Sequence, residues 1–110
     1  MELLTLREIC ESIGVSRRSI QCYEKAGLMR PTAKNKYGHL LYDVKAMHRA
    51  KLIKFMQDLG FRLREIKEII DAPKEVVKEA LERRIKELGE EADRLEQIIK
   101  EATEYMETLG

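Results

Sequence analysis

Apolar residues near the N-terminus recur three and four residues apart, a spacing that predicts two short helices joined by a tight turn. Thr5 and Glu8 have the Thr-x-x-Glu spacing of a capping box, so the first helix is expected to start at Thr5. Gly14 is expected to end it, and Ser16 to cap the second helix. The inward face of the first helix is Leu6, Ile9, Cys10 and Ile13. This arrangement predicts a helix-turn-helix.

The second helix carries two cations at its start. Helical spacing turns Arg17, Arg18 and Gln21 outward together. The inward positions are Ile20, Tyr23 or Glu24, and Gly27. Cations in a first turn oppose the helix dipole, at about 0.3–1 kcal/mol each, unless an external anion compensates. Because this part of a DNA-binding helix-turn-helix faces the major groove, the three outward residues are predicted to face DNA; the alternative is a solvated arginine pair.

The segment after Leu28 predicts a small β-hairpin, or wing. Pro31, Asn35 and Gly38 interrupt helix formation in MRPTAKNKYGHLLY, and Leu40–Tyr42 is compatible with a short strand. The tip combines cations with ring groups suited to phosphate contact, namely Lys34, Lys36, Tyr37 and His39.

The next helix is predicted to be mainly a core element. Asp43 caps it, and Gly60 ends it after Leu59. Its core positions are Met47, Ala50, Ile53 and Met56. Its cations, which either solvate the helix or contact DNA, are Lys45, Arg49, Lys51 and Lys54.

The last third of the chain predicts one long helix with a narrow apolar seam. Pro73 suits the first position of this helix, and from Val77 onward apolar residues step alternately by four and three. The seam residues are Leu81, Ile85, Leu88, Ala92, Leu95, Ile99, Ala102, Met106 and Leu109. This pattern favours a dimeric coiled coil over a helix that folds back on its own domain.

Composition and charge agree with a helical protein that has a polyanionic partner. Of the 110 residues 37% are charged and 5% aromatic, which favours an all-α fold, to which the predicted hairpin adds a small β wing. Met1–Met56 carries 11 Lys or Arg against 5 Asp or Glu, whereas residues 72–110 carry 7 against 11. No apolar run is long enough for a membrane span, and MELLTLREIC does not have the pattern of a signal peptide, so a cytoplasmic location is expected.

The sequence gives no sign of an enzyme, a metal site or a cofactor. Cys10 and Cys22 lack Cys-x-x-Cys spacing and are expected to be ordinary thiols. His39 and His48 have no nearby ligand partners in the sequence. Glycine-rich phosphate loops, nucleophile elbows and convergent acid pairs are also missing from the sequence.

Three segments, "GVSRRSIQCYEKAGL", "KYGHLLY" and "LGFRLREIKEI", resemble the N-terminal domain of the MerR family of bacterial transcription regulators. The likeness covers about Leu3–Asp71, and the long tail helix fits as well. It implies a winged helix-turn-helix and a long helix that dimerises through an antiparallel coiled coil. It also implies binding to a palindromic promoter operator, distortion of that DNA, and RNA polymerase at the same promoter.

The residues that match the family pattern are Arg18, Tyr23, Glu24, Gly27, Leu28, Gly38, Tyr42, Leu59, Gly60, Phe61, Leu63 and Ile66. The departures are Gln21 and Leu40 where the family usually has arginine, Cys22 and His39 where tyrosine is common, and Arg62 where serine normally caps a helix. Arg62 is expected either to cost about 1 kcal/mol of capping or to contact a phosphate.

The sequence thus predicts a DNA-binding domain over residues 1–71 and a dimerisation helix over residues 72–110. The predicted DNA-contacting residues are Thr5, Ser16, Arg17, Arg18, Gln21, Tyr23, Lys34, Lys36, Tyr37, Gly38, His39 and Tyr42. The predicted partners are operator DNA and a second copy of the chain. An architectural, excisionase-like DNA binder and a coiled-coil adaptor that binds proteins remain the alternatives.

Overall fold

Residues 2–110, which the computed structural model describes, form five α-helices and three short strands. In chain order these are β1 (Leu4–Thr5), α1 (Leu6–Ile13), α2 (Arg17–Lys25), β2 (Ala33–Lys34), β3 (Leu40–Tyr42), α3 (Val44–Asp58), α4 (Leu63–Ile69) and α5 (Lys74–Leu109). The chain divides into two compact units, a head that ends at Ala72 and a tail that spans Pro73–Gly110. The predicted fold class, mostly helical with a small sheet and a long last helix, is confirmed.

The helix-turn-helix forms by the local rules that its sequence predicts. Thr5 Oγ1 accepts a hydrogen bond from the Glu8 N–H at 3.1 Å, and Glu8 Oε1 accepts one from the Thr5 N–H at 3.0 Å. This backbone hydrogen bond holds the pKa of the Glu8 carboxyl below its ordinary value. Gly14 ends α1 in the left-handed conformation with φ 80°, and Ser16 Oγ caps α2 by accepting from the Ser19 N–H at 3.1 Å. The capping box and both caps are confirmed.

The sheet contains one strand more than the hairpin that the sequence predicts. β3 lies in the centre, antiparallel to β2 on one side and to β1 on the other. Thr5 pairs with Leu41 and therefore ends β1 and caps α1 at the same time. A strand of two residues is too short to show the alternation of apolar and polar side chains by which strands are recognised.

One apolar core holds the helices and the sheet of the head together. All four turns of α3 contribute to it, because Ala50, Ile53 and Met56 are buried and Met47 packs against them. These four residues are the predicted core positions of that helix. The other buried members of the core are Ile9, Cys10, Ile20, Tyr23, Leu28, Met29, Tyr42 and Ile66.

Arg49, on α3, connects the segment after α2 to the end of the head. Its Nε donates to the Leu28 carbonyl oxygen at 2.7 Å, and its two terminal nitrogens donate to the carboxylate of Asp71 at 2.6 and 2.8 Å. The paired guanidinium lowers the pKa of Asp71 and the carboxylate raises that of Arg49. Arg49 was predicted either to solvate the helix or to contact DNA, and the structure gives its side chain this internal role instead.

Helix α4 begins at Leu63, and Arg62 occupies the cap position before it, as the sequence predicts. Arginine has no hydrogen-bond acceptor, so its side chain cannot cap the helix. Only the reciprocal half of a capping box forms: Glu65 Oε1 accepts from the Arg62 N–H at 2.9 Å. The first turn of α4 therefore lacks one of its usual stabilising hydrogen bonds.

We predict that Arg62→Ser raises the free energy of unfolding by about 1 kcal/mol, since serine supplies the missing cap acceptor. Urea denaturation followed by circular dichroism measures the change. Arg64→Ser is the matched control, because Arg64 is an exposed arginine in the same turn but not at the cap. Equal stabilities of the two variants would show that the capping argument is wrong.

Candidate nucleic-acid interface

The start of α2 presents an exposed cationic surface. Arg17, Arg18 and Gln21 are all exposed, as predicted, and α2 has no acidic residue in its first turn. None of their side chains forms a hydrogen bond or salt bridge with another residue in the described part of the chain. Two guanidinium groups beside the positive end of a helix dipole form a site that an external anion would stabilise.

Thr5, the cap of α1, and Ser16, the cap of α2, are both exposed. The oxygen of each hydroxyl accepts a backbone hydrogen bond of its own helix. A hydroxyl group also has one hydrogen to donate. The Thr5 hydroxyl therefore remains available to donate to a phosphate oxygen, whereas Ser16 Oγ also lies 3.1 Å from Ser19 Oγ and shares a hydrogen bond with it.

The wing is a rigid turn that displays one aromatic ring and several basic groups. Asn35 Oδ1 accepts from the backbone N–H groups of Tyr37 and His39 at 2.9 and 3.0 Å, and Gly38 makes the turn possible with φ 82°. The Tyr37 side chain is 73% exposed, and the Lys36 ammonium lies 5.2 Å from its ring centre. The tip thus offers hydrogen-bond donors and a cation on one small projection. Lys34, at the end of β2, is exposed as well.

Tyr23 and Tyr42 do not belong to this surface, and their prediction as DNA contacts is wrong. Both side chains are buried, with exposed fractions of 1% and 0%. Their hydroxyl groups donate inside the head, from Tyr23 to Gln57 Oε1 at 2.7 Å and from Tyr42 to Glu24 Oε1 at 3.0 Å. Burial raises the pKa of both phenols, and Glu24 adds to the rise at Tyr42. Their role is to fix α2 against α3 and the sheet.

Cys22 also belongs to the outer surface of α2, although it is not among the predicted DNA-contacting residues. It is exposed and lies one helical turn after Arg18. The four-residue spacing from Arg18 is the signal that places it there. Cys10 is buried on α1, and both cysteines are unpaired thiols, as predicted.

Residues 2–110 contain neither a candidate metal centre nor a helix that could span a membrane. No group of three or more His, Cys, Asp or Glu side chains in this range is arranged to hold a metal ion. Of the helices described above, none combines the length and the apolar character that crossing a membrane requires.

The tail is one uninterrupted helix of 36 residues, and none of them is buried. It starts after Pro73, which occupies the cap rather than the predicted first helical position. The predicted seam remains largely accessible; Leu95 is 51% exposed and Ile99 64%. The half-exposed seam residues are Leu81 and Leu88, and the exposed ones are Ile85, Ala92, Leu95, Ile99, Ala102, Met106 and Leu109. An apolar stripe of this length is a surface that a partner helix would cover.

The chain matches two models of one protein family. Residues 4–73, the greater part of the chain, match the family "MerR HTH family regulatory protein". The chain belongs to the MerR family. A second family, "MerR, DNA binding", matches residues 47–104 and thus extends the MerR assignment into the tail. The resemblance on which the sequence prediction relied is confirmed.

Individual MerR proteins are similar in sequence and in structure. The HTH-type transcriptional activator mta of Bacillus subtilis is 36% identical over 77 residues, which are 70% of this chain and 30% of that protein. The solved N-terminal part of the B. subtilis multidrug transporter activator, MtaN, has a TM-score of 0.74 at 30% identity and covers 94% of this chain and 97% of its own. A MerR-family regulator from Bacillus cereus has a TM-score of 0.75 at 25% identity, with coverages of 90% and 76%.

The chain spans about a third of the length of mta and of two other curated relatives that it matches. The matched family is described as regulatory and mta as a transcriptional activator, neither of them as an enzyme, which agrees with the sequence prediction.

Proposed function

We propose that this MerR-family chain is a dimeric transcription regulator that reads a promoter operator in double-stranded DNA. The observation that carries the proposal is the first turn of α2, where Arg17 and Arg18 are exposed without an acidic partner in the described structure. Such an arrangement costs energy in the free head, and phosphates or guanine edges offset that cost. The family description "MerR, DNA binding" supports the same ligand.

Within a major groove, the two parts of the surface have different tasks. Arg17, Arg18 and Gln21 reach base edges from the start of α2, because the N-terminal residues of a recognition helix enter the groove first. The wing residues Lys36 and Tyr37 contact the sugar-phosphate backbone beside it. Thr5, Ser16, Lys34, Gly38 and His39 complete the proposed backbone contacts.

The exposed seam of α5 supports a homodimer. Two copies that bury the seam against each other form a coiled coil, and the charged residues beside it, such as Glu79 paired with Arg83 at 3.5 Å, keep the outer faces polar. A two-fold symmetric dimer presents two identical heads, so its operator has two inverted half-sites. We propose that the tail, residues 72–110, is the dimerisation region and that residues 1–71 are the DNA-binding domain.

Regulation then follows from where the dimer binds. We propose that the operator lies in a promoter, that RNA polymerase occupies the same promoter, and that the protein acts in the cytoplasm at the nucleoid. Distortion of the operator is the proposed means of regulation. The transcriptional activator mta, to which the chain is similar, is consistent with action at promoters.

The two alternative functions make different demands on the structure. An architectural DNA binder would use the same α2 surface but has no need of a seam with the length of α5. A protein-binding adaptor would use the seam but leaves the exposed cations at the start of α2 unexplained. Titration of DNA binding against salt separates DNA binders from the adaptor, and a promoter transcription assay separates the regulator from the architectural protein.

We predict that Arg17→Ala weakens binding to the cognate operator by about 1–3 kcal/mol and relaxes its sequence specificity, since it removes a base-edge contact. Lys36→Ala, by contrast, should weaken binding to every duplex alike and lower the salt slope by about one unit, because it removes a phosphate contact. Fluorescence anisotropy on operator and scrambled duplexes at several salt concentrations measures both effects.

Lys100→Ala is the control for this pair, because Lys100 is an exposed lysine on α5, outside the proposed interface. It should leave both affinities unchanged. An equal loss on the operator and on the scrambled duplex would make Arg17 a phosphate contact. No loss on either would remove α2 from the proposed interface.

A further inference from the structure

The end of the recognition helix α2 is held by groups that also reach the last residues of the head. Arg49 donates to the Leu28 carbonyl oxygen at 2.7 Å and, through its two other donor nitrogens, to Asp71 at 2.6 and 2.8 Å. Leu28 lies three residues after Lys25, the last residue of α2, and Asp71 is two residues before Pro73, where the tail begins. A single guanidinium thus bonds to both segments.

The geometry makes this guanidinium a rigid connector. The Asp71 carboxylate accepts two parallel hydrogen bonds, an arrangement that fixes the guanidinium plane as well as its position. With the plane fixed, Nε remains aimed at the Leu28 carbonyl oxygen. The Arg49 side chain is 30% exposed and that of Asp71 71%, so water competes more for the carboxylate than for the guanidinium, and the two parallel hydrogen bonds carry the positioning.

A second contact joins the same two regions of the head. A Cβ atom placed on Gly27 would lie 3.0 Å from Lys67 Nζ, so the Lys67 side chain of α4 reaches the end of α2. Helix α4 ends at Ile69, and its C-terminal cap, Ile70, is followed directly by Asp71. Both α3 and α4 therefore contact the glycine-leucine step that follows the recognition helix.

We propose that Arg49 and Asp71 are positioning residues that couple the end of the recognition helix to the point where the chain leaves the head for the tail. This inference rests on the proposed function. A DNA-binding dimer must hold its two recognition helices at the separation of two half-sites, and this separation is transmitted through residues 71–73. The Arg49–Asp71 fork keeps that exit point fixed relative to α2.

The coupling predicts a specific effect of Asp71→Asn. Asparagine offers one acceptor and turns an NH₂ group toward the arginine donors, so the fork is lost while the DNA-facing residues are untouched. Affinity for a single half-site should stay within about twofold of wild type. Affinity for the complete operator should fall at least about fivefold, the lower end of ordinary coupling between sites.

The complete-operator probe is a duplex that the wild-type chain selects from a random pool. The half-site probe is the same duplex with the sequence of one of its two half-sites scrambled. Asp58→Asn is the matched control. It breaks the Lys54–Asp58 pair of 2.9 Å, which also joins a carboxylate to a cation of α3 but lies within that one helix. It should leave the ratio of complete-site to half-site affinity unchanged.

Amide hydrogen exchange of the free protein tests the connection without DNA. The Gly27 and Leu28 amides donate to Glu24 and Tyr23 carbonyl oxygens at 3.0 Å, and both should exchange several-fold faster in Asp71→Asn than in Asp58→Asn. Unchanged exchange, or equal losses on the complete site and the half-site, would overturn the coupling. If wild type bound the half-site as tightly as the complete site, the dimeric function would fail, whereas the exchange result would still decide whether the fork couples Leu28 to Asp71.

Discussion

Replacing Leu88 and Leu95 together with lysine is expected to convert the protein into a monomer. The two residues lie seven apart in the seam of α5, where each copy of a coiled coil would bury them against its partner. Four lysines in one dimer would then lose water without a counter-ion, and the seam cannot compensate for that loss. Sedimentation velocity at micromolar concentration should show a single species of about the chain mass, 12.9 kDa.

The same substitution should weaken binding to the complete operator by at least about 100-fold, because two joined heads gain an effective concentration that separate heads lack. Glu90→Lys with Gln97→Lys is the matched control: the residues are also seven apart and exposed on α5, but outside the seam. This control should stay dimeric and bind normally. A Leu88→Lys/Leu95→Lys protein that remained dimeric would show that the seam is not the dimer interface.

The sequence predicts those parts of the fold that depend on neighbouring residues. The capping box of Thr5 and Glu8 and the glycine stop at Gly14 each involve residues at most four apart. The exposed outer surface of α2 follows in the same way, because helical periodicity alone turns Arg17 and Arg18 outward. These features can therefore be predicted from the sequence without any knowledge of tertiary contacts.

The errors concern residues whose role depends on distant parts of the chain. Arg49 is one of several cations on α3, and only the fold brings it to Leu28 and Asp71, 21 and 22 residues away. The wrong prediction for Tyr23 has a different cause. Helical spacing predicts an inward position for this residue, whereas the family pattern favours its inclusion among the DNA contacts. The structure buries its ring and leaves it a positioning role through Gln57.

A dimer of this kind is also expected to bend its operator. Successive major grooves on one face of DNA are about 34 Å apart, and each head must place its α2 in one of them. A dimer held by a rigid joint that fixes a different separation has to deform the duplex, at an elastic cost of about 1–6 kcal/mol. The family to which the chain belongs leads us to place this deformation at the operator centre, between the two heads.

We predict that fluorescence transfer between dyes at the two ends of the operator will increase on binding, because bending brings the ends together. Stiff A-tract steps at the centre should weaken binding without any change in the half-sites, whereas flexible TA or CA steps should strengthen it. The Leu88→Lys/Leu95→Lys monomer is the control, since one head alone imposes no spacing and should leave the duplex straight. If wild type also left it straight and the central steps were interchangeable, the protein would act as an ordinary repressor that blocks its site, and regulation by distortion would have to be abandoned.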